Sequence, residues 1–268
     1  MTTPSASLSR AVLTAMRDVA ARIIMPRYTN LKDSDVRSKN HPGDLVTIAD
    51  EEAERDLTRM FLDLLPGSKC VGEEAVAKTP TLIENLSSDA PVWIIDPIDG
   101  TANFVNGRPR FAVMVALVRG GETVMGWIHD PVSGHSLWAE LGAGTWLQTD
   151  KGTQRQMIQT QDGLPLSELI AELHHPDFNL HKGKFARITR LGSAAHDYWA
   201  MADGRMQVLC YRRIKPWDHA AGVLIHAEAG GYNGLLSGQP YNPCIRDQAG
   251  LLCAPSADVW EKVAGLRN

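Results

Sequence analysis

The sequence predicts a mixed fold, an α+β portion followed by an α/β portion, and three observations predict it. The first half sets helical apolar repeats beside short apolar runs joined by tight turns. The second half alternates strand-like and helix-like segments. Hydrophobic residues make up 44% of the chain and charged residues 22%, proportions that fit a large folded core rather than a disordered chain.

Leu8, Val12, Ala15, Met16, Val19 and Ile23 recur at helical spacing, so Leu8 to Met25 is expected to be a helix stopped by Pro26. The polar stretch from Asn30 to Asn40 reads as a loop or hairpin. Ala53, Leu57, Met60, Phe61 and Leu64 predict a second helix over Asp50 to Leu65, ended by Pro66-Gly67. Val92 to Ile95 is a short apolar run, expected to be a buried strand that stops at Asp96-Pro97. Ala112 to Arg119 and Thr123 to His129 flank Gly120-Gly121-Glu122 as a hairpin, and Ser136 to Ala139 and Gly144 to Leu147 continue the meander. The polar stretch from Thr149 to Leu166 suggests a soft boundary, with residues 1–148 and 149–268 as two portions of one compact unit. Beyond it, strands are expected at Phe185 to Leu191, Met206 to Tyr211 and Leu251 to Ala254. Helices are expected at Ala194 to Ala202, His219 to Ala229 and Val259 to Leu266.

The formal charge of −4 supplies no basic field and argues against broad nucleic-acid binding. Cys70, Cys210, Cys244 and Cys253 form no CxxC pair and no zinc spacing, as expected of reduced thiols in a cytoplasmic protein. No secretory signal is visible, and no apolar run is long enough to cross a bilayer.

Four blocks carry chemistry. In Trp93-Ile94-Ile95-Asp96-Pro97-Ile98-Asp99-Gly100-Thr101, two carboxylates follow a buried strand within one tight turn. Carboxylates so concentrated repel unless a cation neutralises them, and hard oxygen donors suit Mg²⁺. Gly100 admits close backbone approach, and free N–H groups at a helix opened by Thr101 would favour phosphate. The bland reading is a structural Asp-Gly turn. Gly72-Glu73-Glu74 alone would read as solvated surface. Lys215-Pro216-Trp217-Asp218-His219-Ala220-Ala221-Gly222 leads into an apolar helix, with Asp218 where an N-cap is expected. Lys39-Asn40-His41-Pro42-Gly43-Asp44-Leu45-Val46-Thr47-Ile48-Ala49-Asp50 ends on Asp50 at a helix start, where capping is again the bland role.

Together and in this order, these blocks resemble the inositol monophosphatase family over nearly the whole chain. The resemblance implies a layered α-β-α-β-α sandwich, often a homodimer, and a lithium-sensitive, magnesium-dependent phosphomonoesterase acting on a small phosphate ester. It implies two to three Mg²⁺ ions: Glu73, Asp96 and the Ile98 carbonyl on one, Asp96, Asp99 and Asp218 on a second, and Glu73 again on a looser third. Glu74 matches an acidic position behind the ligands, and Lys39 a lysine that approaches the site from a loop. Asp50 matches the residue paired with Thr101 to orient the attacking water. Asp99, Gly100, Thr101, Gly192, Ser193, Ala194, Tyr211 and Asp218 match the substrate wall, and Ser193 is also placed to cap a helix. Tyr211 falls where inositol-selective relatives carry a glutamate, and Arg212 and Arg213 beside it could meet a second anionic group or point to solvent. His174, His175 and His181, lacking an acidic partner at metal spacing, are expected at the surface or a dimer contact. Nucleotide 3′-phosphate, histidinol phosphate and fructose 1,6-bisphosphate remain alternative substrates. The alternative of another class is a non-catalytic regulator bound to RNA or the transcription machinery.

Overall fold

A computed structural model describes residues 4–39, 45–157, 164–245 and 249–267. The Asn40 to Asp44 part of the loop block therefore lies outside the described residues, as do residues 158–163 of the expected boundary stretch.

Helix α1 (Pro4–Val19) passes into a π-helical turn, Ala20–Ile24, just before Pro26. The loop-or-hairpin stretch contains β1 (Val36–Ser38), paired antiparallel with β2 (Leu45–Thr47). Helix α2 (Ile48–Leu64) follows at once. Its cap is Thr47, whose side chain accepts from Ala49 N and Asp50 N, while Asp50 returns a bond from the Thr47 backbone N–H. Asp50 is thus the third-residue member of a capping box rather than the cap itself.

Strand β3 (Lys69–Gly72) runs into the short helix α3 (Glu73–Lys78). Strand β4 covers Val92–Asp99, longer than the apolar run predicts. The extension past Asp96 is possible because the register with the next strand shifts between Asp96 and Asp99. Pro97, with no N–H to give, sits in that irregularity. After helix α4 (Thr101–Val105) come β5 (Ala112–Arg119), β6 (Glu122–His129), β7 (Ser136–Glu140), β8 (Gly144–Thr149) and β9 (Gly152–Gln156). Strands β3 to β9 form one seven-stranded sheet in sequence order. Only β3 and β4 pair in parallel within it; the rest is the expected antiparallel meander, with β9 added.

The second sheet comprises β10 (Ile170–Leu173), β11 (Arg187–Ile188), β12 (Val208–Tyr211), β13 (Tyr232–Leu235) and β14 (Leu251–Ala254), ordered β11-β10-β12-β14-β13. The strand expected over Phe185 to Leu191 shrinks to two residues because a 3₁₀ stretch, Pro176–Lys184, feeds it. Helices α5 (Ala194–Ala202), α6 (Pro216–Glu228) and α7 (Ala257–Ala264) complete the chain. Lys215 occupies the N-cap position of helix α6 without a side-chain capping bond, so Asp218 lies inside the first turn and not at the cap.

Side-chain alternation explains the layering. Trp93 and Ile95 of β4 face Val12, Met16, Leu57 and Phe61 of α1 and α2. Val92 and Ile94 face the opposite way, against Ala195 and Tyr198 of α5 and Ala221 and Ile225 of α6. Those helices also meet Leu209, Leu251 and Cys253 of the second sheet, whose far face packs on Val259 and Val263 of α7. The order is α, β, α, β, α, the layered sandwich implied by the family resemblance. Both faces of β4 are covered, which is why its sequence is a continuous apolar run rather than an alternating one.

Candidate active site

The polar groups converge where β4 ends. Gly100 takes a left-handed φ of 84°, and a Cβ there would lie 2.8 Å from the Arg110 carbonyl oxygen. Only glycine fits this turn, which swings the chain from β4 into α4 and leaves Asp96, Asp99 and Thr101 on one rim.

Glu73, Asp96 and Asp218 come from three separate elements, α3, β4 and α6, and offer carboxylate oxygens all within 4.8 Å of one another. They line a cavity of about 290 Å³ with Ile98, Asp99, Gly100 and Thr101, and with Gly192, Ser193, Ala194 and Tyr211 on its other wall. Burial pushes the Asp96 carboxyl well above the usual range, and Glu73, Asp99 and Asp218 push it further. Burial likewise raises Asp218 well above its ordinary value, reinforced by Glu73 and opposed by Lys215. Like charges at this spacing call for a cation, and an all-oxygen donor set fits a hard divalent ion.

Asp99 stands apart from that trio. Its carboxylate accepts from the Ser193 hydroxyl, from Ala194 N at 3.1 Å and from Ala195 N at 2.9 Å, tying β4 to the start of α5. Ser193 is the cap of α5, accepting from His196 N. Burial still raises the Asp99 pKa, against the lowering effect of these donors.

The Thr101 hydroxyl lies 3.0 Å from the Ile98 carbonyl oxygen and 3.3 Å from Asp50 Oδ1. It has one proton for two acceptors. Asp50 Oδ2 is occupied by the Thr47 N–H and hydroxyl. Burial pushes the Asp50 carboxyl up to about 7, with Glu74 and Glu73 adding to the shift.

Lys39 reaches in from beyond β1, with Nζ 2.6 Å from Glu74 and 3.1 Å from Glu73. Burial disfavours its charge, but Glu73 and Glu74 outweigh that and raise its pKa. Burial also raises the Glu74 pKa, against Lys39.

Several groups were missed in the sequence. Glu54 is buried, and its carboxylate accepts from Glu74 N at 2.7 Å and Ala75 N at 2.8 Å, so it caps α3 from α2. Burial raises it to about 7. A signal existed: Asp50 and Glu54 are four apart on the same helix stripe as the buried Ala53 and Leu57. His174 corrects the expectation of a surface histidine without an acidic partner. Its Nε2 is 2.8 Å from Glu172 Oε1, and its ring stacks on Tyr211 with centroids 4.5 Å apart. His175 is buried as well, and His181 half-buried. Tyr211 turns toward the cavity, and its hydroxyl donates to Asp197 Oδ2 at 2.5 Å. Arg212 and Arg213 are exposed.

The profile of the inositol monophosphatase family matches residues 6–266. A Thermotoga maritima protein called fructose-1,6-bisphosphatase/inositol-1-monophosphatase is 33% identical over 216 residues, covering 77% of each chain. A Bacillus subtilis inositol-1-monophosphatase is 30% identical over 231 residues, covering 84% of each. Among solved structures, a Thermotoga maritima IMPase superposes with a TM-score of 0.79 at 28% identity, over 95% of this chain and 94% of that one. The extragenic suppressor protein SuhB of Bartonella henselae gives 0.80 at 24% identity over 97% and 98%, a likeness of fold. With a match running almost from end to end, the chain belongs to the inositol monophosphatase family and is a metal-dependent phosphatase of phosphoric monoesters.

Proposed function

We propose that this phosphatase hydrolyses a small phosphorylated metabolite, an inositol monophosphate or a related sugar or cyclitol phosphate, with a water directed by Thr101 and Asp50. The observation that carries the reading is the Glu73, Asp96 and Asp218 trio, with oxygens within 4.8 Å, beside the Thr101–Asp50 pair. Glu73, Asp96 and the Ile98 carbonyl would hold one Mg²⁺, Asp96, Asp99 and Asp218 a second, and Glu73 a looser third. When bound, such ions screen the phosphate dianion and acidify water.

The chain's own groups do the rest. Asp50 Oδ1 accepts the Thr101 hydroxyl hydrogen bond when the Ile98 carbonyl is engaged elsewhere, leaving the Thr101 oxygen lone pairs to accept from the attacking water. Cations on Glu73 and Asp96 would lower the Asp50 pKa below about 7, keeping it an acceptor at neutral pH. Gly192, Ser193 and Ala194 present small side chains that leave room for a ring, and Tyr211 backed by His174 forms a flat wall. Positioning and electrostatics supply the acceleration, without a phosphorylated enzyme. Occupation of the Asp96, Asp99 and Asp218 site by Li⁺ would inhibit. The four thiols, none in a disulfide, agree with a cytoplasmic setting, and a homodimer is the assembly the family resemblance favours. No helix among the described residues is long and apolar enough to cross a membrane.

The test is phosphate release with Mg²⁺ from inositol phosphates, sugar phosphates, nucleotide 3′-phosphates and histidinol phosphate. Turnover of at least one small monoester supports the reading. A salt-dependent shift with RNA and no release from any compound would favour the regulator.

A further inference from the structure

The carboxylate cavity opens onto a second one. A cavity of about 600 Å³ adjoins it, and His174, Tyr211 and Asp218 line both. The two are unlike in charge. Among the described residues, the first is lined by Glu73, Asp96, Asp99 and Asp218 and by no lysine or arginine. The second is lined by Lys182, Arg190, Arg212, Arg213 and Lys215, with Asp218 as its one carboxylate among the described residues. In a chain of formal charge −4, five cations around one hollow are a local reversal of sign.

Their partners leave most of that charge unspent. Arg190, Arg212 and Arg213 make no ion pair among the described residues. The Lys182 ammonium donates to Asn179 Oδ1 at 2.7 Å, a neutral acceptor. Lys215 lies 3.5 Å from Glu73, at the edge of the first cavity. Arginines come from both sides of the hollow: Arg190 just past β11, and Arg212 and Arg213 just past β12. Between the two cavities stands the Tyr211–His174 stack, held by Asp197 on the tyrosine hydroxyl and Glu172 on the imidazole. A small molecule lying across this stack would reach both cavities at once. Guanidinium groups recognise phosphate and carboxylate oxygens in paired, planar geometry.

Building on the phosphatase reading above, and narrowing it from simple monophosphates such as an inositol monophosphate, we infer that the preferred substrate carries a second anionic group, phosphate or carboxylate, which this basic annex holds while the scissile phosphate lies among the metal carboxylates. The annex is a specificity subsite: it recognises a part of the substrate that does not react. Its binding energy should therefore be visible as discrimination between a substrate that has the second group and one that lacks it.

The test uses matched pairs that differ by that group: fructose 1,6-bisphosphate against fructose 1-phosphate, adenosine 3′,5′-bisphosphate against adenosine 3′-phosphate, and 2-phosphoglycerate against glycerol 2-phosphate. The readout is the ratio of kcat/KM within each pair, so a general loss of activity cancels. In at least one pair the wild type should favour the doubly anionic member by on the order of tenfold, mainly through KM. Arg190→Gln, Arg212→Gln and Arg213→Gln should each lower that ratio, and their combination should bring it near unity. Raising KCl should lower it in the wild type and leave the triple variant flat. Ratios below about twofold in every pair, or a preference that survives the triple variant, would overturn the annex while leaving the phosphatase intact. No phosphate release from any member with Mg²⁺ would overturn the phosphatase reading and this one with it.

Discussion

Gly72→Ala tests how the chain aims Glu73. The φ of Gly72 is −105°, which alanine adopts freely, so the substitution probes a contact and not backbone strain. The added Cβ would lie 2.2 Å from Glu54 Cδ and 2.5 Å from each carboxylate oxygen. Those oxygens hold the backbone N–H groups of Glu74 and Ala75, at 2.7 and 2.8 Å. Two charge-assisted bonds to a buried carboxylate are worth about 1.5–3 kcal/mol each, and partial relaxation leaves an expected loss of roughly 2–5 kcal/mol. For a chain of this size each kcal/mol is about 2–4 °C in Tm, so melting should fall by roughly 4–20 °C. Glu73 opens the helix that Glu54 caps, so half-saturation by Mg²⁺ in a phosphate-release assay should also rise. Removing the obstructing carboxylate with Glu54→Ala should make the double variant less impaired than the sum of the single ones. A Gly72→Ala protein that melts within a degree or two of wild type with unchanged Mg²⁺ dependence would refute the argument.

Three other outcomes are expected. Thr101→Ala and Asp50→Asn should each lower kcat far more than they raise KM, and the double variant should fall well short of additive; additive losses in steady-state kinetics would mean the two do not act as a pair. In metal-free protein, burial holds Asp50 and Glu54 at about 7 and Asp96 and Asp218 well above the usual range, against ordinary values of 3.8 and 4.5. The folded state keeps these protons longer, so their stabilisation is complete below about pH 4 and is lost as pH rises through about 7; melts in chelator should fall in Tm between about pH 5 and 8, Mg²⁺ should recover most at the upper end, and a Tm rising over that range in chelator would contradict the assignment. Tyr211→Phe removes the donor to the fully buried Asp197 carboxylate and should cost about 1–3 kcal/mol in urea denaturation; a neutral result would show that this hydrogen bond does not stabilise the fold.

Much of the architecture could be read from local pattern. The Val92 to Ile95 run, the hairpin at Gly120-Gly121 and the helix through Leu57 and Phe61 each carry their own signal within a few residues. The short strands β3, β10 and β13 do not, because four residues show no period until a neighbour pairs with them. Caps were misplaced for a similar reason. Aspartate suits both the cap and the third helical residue, and only the backbone separates Thr47 from Asp50, or Lys215 from Asp218. The residues Asp96 and Asp99 were legible because they crowd one turn. Tyr211 was legible as part of the substrate wall, but its partners Glu172, His174 and Asp197 were not, since strands β10 and β12 and helix α5 bring them together from separate stretches. At position 211 a glutamate would meet Asp197 and Glu172, three carboxylates on one wall, whereas phenylalanine removes only the hydroxyl.

Phosphate release by wild type and Asp96→Asn across a Mg²⁺ titration tests the role of the carboxylate trio most directly. Asparagine keeps the shape of Asp96 and can still accept from the Ile98 N–H, so the fold should survive and melting should confirm it. Wild type should be inactive in chelator and recover with Mg²⁺, and Asp96→Asn should stay below roughly a tenth of its rate at every Mg²⁺ concentration. Wild-type turnover that persists in chelator, or an Asp96→Asn protein that matches wild type once Mg²⁺ is added, would contradict it.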